Sequence, residues 1–105
     1  MGEKGKPGIA RVVNNHSSPH EVLFGPKEKL STALSGQPID ISPGGTLNLR
    51  ILDEPGQYTV YGYVDGVSVG EIEVQVSRRS GAGLLKGDGV LLKIRESGEI
   101  AFRTV

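Results

Sequence analysis

Residues 46–76, TLNLRILDEPGQYTVYGYVDGVSVGEIEVQV, decide the fold of this 105-residue chain. Apolar and polar residues alternate through TLNLRIL, which is the period of a strand with one buried face. A Pro-Gly turn then leads into a second strand at 58–64, and a third alternating segment follows at 71–76. Asp65-Gly66 joins the last two, and both residues tolerate the positive φ that a type I′ hairpin turn requires. The stretch therefore predicts an antiparallel meander.

The alternation also predicts which side chains of the meander form the core. Successive side chains of a strand point to opposite faces, so the apolar set of each strand shares one face. Thr59, Tyr61 and Tyr63 would stand on the opposite face. We expect burial of Leu47, Leu49, Ile51, Tyr58, Val60, Ile72, Val74 and Val76.

Strand signals continue on both sides of the meander. Residues 9–14 and 21–24 are rich in apolar and β-branched residues, with a Ser-Ser-Pro turn between them. Pro26 is placed to open a short helix over residues 27–35. Near the end, GVLLKIR and EIAFRTV flank a Ser-Gly turn and predict a terminal hairpin. The expected fold is all-β: an antiparallel two-sheet sandwich, cupredoxin-like or immunoglobulin-like, with one short helix and a C-terminal β-hairpin.

Composition supports one small β domain. The chain contains five aromatic residues, no Trp, 16 Gly and 6 Pro, so Val, Ile and Leu must build the core between many turns. We expect a flexible tail at residues 1–8 and a single domain at 9–105. The chain contains no Cys, which excludes disulfides, thiolate metal sites and a Cys nucleophile. No apolar run approaches the roughly 18 residues of a membrane helix, so membrane insertion is not expected. Both an exported protein with a trimmed signal peptide and a cytoplasmic one fit the sequence.

Two segments carry a resemblance to a known family. SSPHEVLF at 17–24 contains a Pro-His-x-Val strand, and PGQYTVYGYVDGVSVGEIEV at 55–74 begins with Pro-Gly-x-Tyr. Together they resemble the cupredoxins, the small blue copper proteins. In that family a strand that closes the core usually comes earlier in the chain, at a place where residues 1–8 of this chain form only a polar tail. The resemblance therefore implies that the C-terminal hairpin supplies the missing strand or strands.

The late copper ligands of the cupredoxin pattern are not kept. On the short-loop version of the pattern, Gly62 occupies the Cys position, Asp65 the His position and Ser68 the Met position. A blue copper site needs a thiolate together with imidazole ligands. We therefore expect no blue copper centre and no cofactor.

Charge is unevenly distributed although the formal net charge is zero. Residues 31–76 contain one base, Arg50, and six acids, whereas residues 77–105 contain six bases and three acids. One interpretation is that these are solvated strand faces, screened beyond about 8 Å at physiological salt. The other is a head-to-tail contact between copies, with residues 89–105 in the contact.

Few side chains qualify as functional. Tyr61, Tyr63 and Asp65 are the candidate binding residues, since exposed paired aromatic rings can stack on sugars or anchor an interface. His16 and His20 are weaker candidates as metal ligands, with Asp65 as a third, because the turn between them cannot place them on one helical face. Glu71 and Glu73 beside the tyrosines disfavour nucleic-acid binding.

The sequence therefore predicts a protein without catalytic activity. The serines lie in turns without a visible base and acid partner, and the two histidines lie close together in one loop. We expect an interaction or structural module, either an assembly subunit or a partner-binding accessory protein. The alternative is a module that binds a small molecule, a carbohydrate or, weakly, a metal.

Overall fold

The computed structural model describes residues 7–26, 37–78 and 85–105, and in these residues the regular structure is entirely β. No helix occurs in the described part. The expected helix at 27–35 and the first six residues of the expected tail lie outside it. The strands are β1 (Ile9–Asn14), β2 (His20–Gly25), β3 (Ile39–Ile41), β4 (Thr46–Arg50), β5 (Gly56–Val64), β6 (Val67–Arg78), β7 (Leu85–Gly87), β8 (Val90–Ile94) and β9 (Ile100–Thr104).

The strands form two sheets. Sheet I has the order β4-β1-β8-β9 and sheet II the order β3-β2-β5-β6-β7. The predicted meander is confirmed between β5 and β6, which pair from Gly56 opposite Val76 to Val64 opposite Val67. The predicted terminal hairpin is also confirmed, since β8 and β9 pair antiparallel.

The expectation of a purely antiparallel structure is wrong at one place. β1 and β8 pair in parallel, with Val12 opposite Leu92. Parallel strands need a long crossover connection, and here most of the chain lies between the two strands. No local pattern encodes such a pairing, because the two strands are almost eighty residues apart.

One hydrophobic core lies between the sheets. Buried residues from sheet I, such as Val12 and Leu92, and from sheet II, such as Phe24 and Val60, belong to one cluster. Of the residues expected in the core, Ile51, Val60, Val74 and Val76 are buried. Leu47, Leu49, Tyr58 and Ile72 are only partly buried against it.

The partial burial of Leu47 and Leu49 has a structural cause. Both lie on β4, an edge strand, which has a neighbouring strand on one side only. The alternation predicted the correct face but not the position of each strand in its sheet.

The β5–β6 turn has the predicted chemistry. Asp65 has a φ of 52° and Gly66 a φ of 80°, as the two central residues of a type I′ turn require. The turn places Asp65 at one end of sheet II, beside the first residues of β2. Its amide donates to the Glu21 carbonyl at 2.8 Å.

Tyr58 fixes the chain where it enters β5. Its hydroxyl donates to the carbonyl of Glu54 at 2.8 Å, four residues upstream. Burial and the negative charges of Glu54 and Asp53 raise the pKa of Tyr58 above its ordinary value of 10.0. A tyrosine that bonds back to the preceding backbone is a feature of many Greek-key β folds.

Candidate functional site

The two histidines and Asp65 meet at one end of the molecule. His16 lies in the β1–β2 loop, His20 opens β2 and Asp65 lies in the β5–β6 turn. The loop is held by Asn14, whose side-chain amide donates to the Ser18 carbonyl and whose side-chain oxygen accepts the His16 amide. Three separate segments of the chain therefore supply the three side chains.

The three side chains form a hydrogen-bonded line. Nδ1 of His20 lies 2.6 Å from Oδ2 of Asp65, and Nε2 of His20 lies 2.9 Å from Nδ1 of His16. A carboxylate only accepts, so Nδ1 of His20 carries the proton of that bond. In neutral His20, Nε2 then accepts, and Nδ1 of His16 donates to it. The line runs from Asp65 through His20 to His16, and both ring nitrogens of His20 are used within it.

Asp65 is held in its charged form. The Glu21 amide donates to Oδ1 at 2.9 Å. This bond, followed by the bond from His20, lowers the pKa of Asp65 below its ordinary value of 3.8. The Asp65 side chain is 52% exposed and the His20 side chain 16% exposed. The negative charge of Asp65 is therefore at the solvent-exposed end of the hydrogen-bonded line.

This arrangement does not suit a metal ion. Ligands of one metal converge on a common point, whereas His20 directs its two nitrogens at His16 and at Asp65. In the described ranges, no group of three or more His, Cys, Asp or Glu residues could hold a metal. The Cys position of the cupredoxin pattern is also filled: a Cβ added at Gly62 would lie 3.0 Å from the Phe102 ring and 3.1 Å from Val69.

The predicted tyrosine pair lies elsewhere. Tyr61 and Tyr63 are half-buried on β5, and the buried residues beside them, Val60, Gly62 and Val64, face the core. The tyrosines therefore stand on the outer face of sheet II. The structure brings Asp65 to His20, not to the tyrosines, so the three candidate binding residues do not form one pocket.

Four acids surround the tyrosines on this outer face. Glu71 lies opposite Tyr61, and Glu73 lies opposite Thr59 and accepts its hydroxyl at 2.9 Å. Glu21 and Asp40 lie opposite each other on β2 and β3. All four acids are exposed. We call Glu21, Asp40, Glu71 and Glu73, with Tyr61 and Tyr63, the acidic face.

The outer face of sheet I carries the opposite charge. A shallow groove on this face is lined by Arg11, Val13, Leu91, Lys93, Arg95, Ala101 and Arg103. The register explains the cluster, because Leu91 lies opposite Arg11 on one side and Arg103 on the other. Leu91 is only 5% exposed although it points away from the core, which indicates that the long basic side chains cover it. We call these groove residues the basic groove.

Sequence reasoning found part of this groove. The bases of the last third of the chain were visible as a group, but Arg11 was not associated with them. A usable signal was present, since Arg11 is the polar residue in an alternating strand and must face away from the core. What the sequence lacked was the parallel pairing that places β1 next to β8.

None of the described residues forms a helix long and apolar enough to cross a membrane. No family model matches the chain, and neither a curated protein nor a solved structure was found to match it. The features of the structure that bear on function are therefore the two charged faces and the hydrogen-bonded line.

Proposed function

We propose that this domain is a non-catalytic interaction module that binds an acidic protein surface in the basic groove. The observation that carries the proposal is the convergence of Arg11, Lys93, Arg95 and Arg103 around Leu91 on one sheet face. Lys93, Arg95 and Arg103 place like charges along one groove, and the resulting positive potential attracts an anionic partner. Bases from three strands cluster on one face. A binding surface explains this clustering better than a face that is merely solvated.

The groove combines the features of a protein interface. Arginine is enriched at such interfaces because its guanidinium is planar and forms two parallel hydrogen bonds with a carboxylate. Val13 and Ala101, which are half-buried, provide apolar surface in the groove that loses water when a partner binds. The charges steer a partner towards the groove and set its orientation, and the apolar side chains increase the area that is buried on binding.

The scaffold belongs to the same proposal. We propose a cupredoxin-like sandwich whose terminal hairpin takes the place of the strands that usually come first. Two observations support it: β8 pairs in parallel with β1, and Asp65 contacts His20 as two neighbouring ligand positions should. The hydrogen-bonded line and the Phe102 ring occupy the space that copper chemistry would need.

A charge-reversal experiment tests the groove. The probe is a fluorescent poly-glutamate peptide, and its binding is followed by anisotropy at low ionic strength. We expect Arg95→Glu/Arg103→Glu to weaken binding by at least about tenfold, since two attractive contacts become repulsive. Lys86→Glu, on β7 of sheet II, is the control for a single reversal: it is compared with Arg103→Glu alone and should bind as the unaltered protein does. The proposal is overturned if the double variant binds the peptide as tightly as the unaltered protein does, or if the control loses as much affinity as the groove variant.

A further inference from the structure

We infer that the acidic surface that the basic groove binds is the acidic face of a second copy of this chain. The inference rests on the proposed function and names its partner. The basic groove and the acidic face lie on the outer sides of opposite sheets, so one molecule can present both at the same time.

Charge complementarity is the first argument. The acidic face carries Glu21, Asp40, Glu71 and Glu73, all exposed. Among the described residues of sheet II, Lys86 is the base exposed on that side, and it lies on β7, at the edge beyond β6. In sheet I, Glu99 lies beside Arg95 at the hairpin end, away from Arg11 and Arg103. The centres of the two faces are therefore of opposite sign.

The side chains at the two centres also match in kind. Tyr61 and Tyr63 present half-buried rings in the middle of the acidic face. A guanidinium stacks well on a tyrosine ring, and a carboxylate next to the ring can accept its hydrogen bonds. Tyr61 lies directly opposite Glu71, so a ring and a carboxylate are adjacent. Arg103, which lies opposite Leu91 in the basic groove, supplies the complementary group.

The geometry of this contact gives an open assembly. The two surfaces differ, so the contact is heterologous, and each added copy leaves one acidic face and one basic groove unused at the ends. Because the two faces lie on opposite sides of the domain, copies add along the direction perpendicular to the sheets. Growth therefore continues with concentration instead of stopping at a dimer.

The test uses two charge-reversal variants and their mixture. Arg95→Glu/Arg103→Glu leaves two bases against two new acids in the basic groove and abolishes its net positive charge. Glu71→Lys/Glu73→Lys abolishes the net negative charge of the acidic face in the same way. We expect the unaltered protein to gain mass with concentration at low salt, and each variant alone to remain monomeric. An equimolar mixture should form a heterodimer, because the intact acidic face of the first variant meets the intact basic groove of the second.

Mass is measured by sedimentation velocity, with circular dichroism to verify that each variant is folded. High salt, near 1 M, shortens the screening length to about 3 Å and should return the unaltered protein to monomer. Asp53→Lys/Glu54→Lys changes the same net charge in the β4–β5 loop, away from both faces, and should leave assembly intact.

The results separate this inference from the proposed function. If the unaltered protein is monomeric at every concentration but binds the poly-glutamate peptide, the groove binds an acidic partner other than a second copy. If it neither assembles nor binds the peptide, both proposals fail. A mixture that stays monomeric while the unaltered protein assembles places the contact on other surfaces and overturns the inference.

Discussion

At the scale of single residues, Asp65 links the β5–β6 turn to the start of β2 through hydrogen bonds of its side chain. The cupredoxin pattern assigned Asp65 to the place of the second His and so predicted its nearness to His20. The structure bears out that nearness, with 2.6 Å between Oδ2 and Nδ1. The contact between the rings of His20 and His16 was not predictable, since it depends on how Asn14 folds the intervening loop.

The lowered pKa of Asp65 predicts a pH dependence of stability. A carboxyl group whose pKa is lower in the folded state binds fewer protons there than in the unfolded chain. The stabilisation is therefore fully present above the ordinary pKa of 3.8 and is lost as pH falls through the lower folded value. Asp65→Asn should remove this dependence, because an amide does not titrate. Urea unfolding at pH 3, 4 and 6 measures it.

Asn is the appropriate replacement at this site. It tolerates the positive φ of 52° and can accept the Glu21 amide, so the turn is kept. At neutral pH we expect a loss of roughly 0.5–1 kcal/mol, a small value because the Asp65 side chain is 52% exposed. If the variant loses stability on acidification as steeply as the unaltered protein, Asp65 is not the group responsible.

At the scale of elements, the packing of β9 against β5 explains why Gly62 is tolerated in the middle of a long strand. Gly62 faces the core, and Phe102 from the terminal hairpin occupies the space that a side chain would take. The alternation of β5 predicts the inward direction of position 62. It does not predict that an aromatic ring forty residues later fills the gap, because that contact arises from the packing of one sheet on the other.

Gly62→Ala should therefore destabilise the fold. Its Cβ would lie 3.0 Å from the ring of Phe102 and 3.1 Å from Val69, closer than ordinary van der Waals contact. Overpacking of this kind typically costs about 1–3 kcal/mol. The free energy of unfolding in urea, measured for both proteins, gives the cost.

A double-mutant cycle identifies the cause. Phe102→Leu alone leaves space beside Gly62 and should also be destabilising. In the combination of the two substitutions, the added methyl group partly fills that space, so the joint loss should be smaller than the sum. Strict additivity would show that the Phe102 ring is not what restricts position 62.

At the scale of the whole molecule, local patterns predicted the strands of the meander, the turn at Asp65, the terminal hairpin and part of the core. The order of strands in each sheet depends on contacts between distant segments, which periodicity does not report. The two charged faces were for this reason visible only as an uneven charge along the chain. Because β1 pairs with β8, Arg11 and Arg103 lie on either side of Leu91. The uneven distribution of charge along the chain thus becomes two surfaces of opposite charge.

The same topology predicts that the chain can be circularly permuted. Ala10 of β1 and Thr104 of β9 both lie opposite Val90, one on each side of β8. The start of β1 and the end of β9 are therefore two strand spacings apart, about 10 Å. A linker of about six Gly and Ser residues from Val105 to Pro7 spans this distance. New ends placed between Gly81 and Ala82 put β7, β8 and β9 before β1.

This permutant should fold, with a stability close to that of the unaltered chain, because every strand pair described in the structure keeps its partner and loop-closure costs change only slowly with length. The matched control has the same linker but new ends between Asp65 and Gly66, which divides the β5–β6 hairpin. Far-ultraviolet circular dichroism and urea unfolding compare the three proteins. We expect the control to be clearly the least stable. A permutant opened at residue 81 that is unfolded, beside a control that folds, would show that the connection between β6 and β7 is essential to the fold and that the terminal hairpin cannot precede β1.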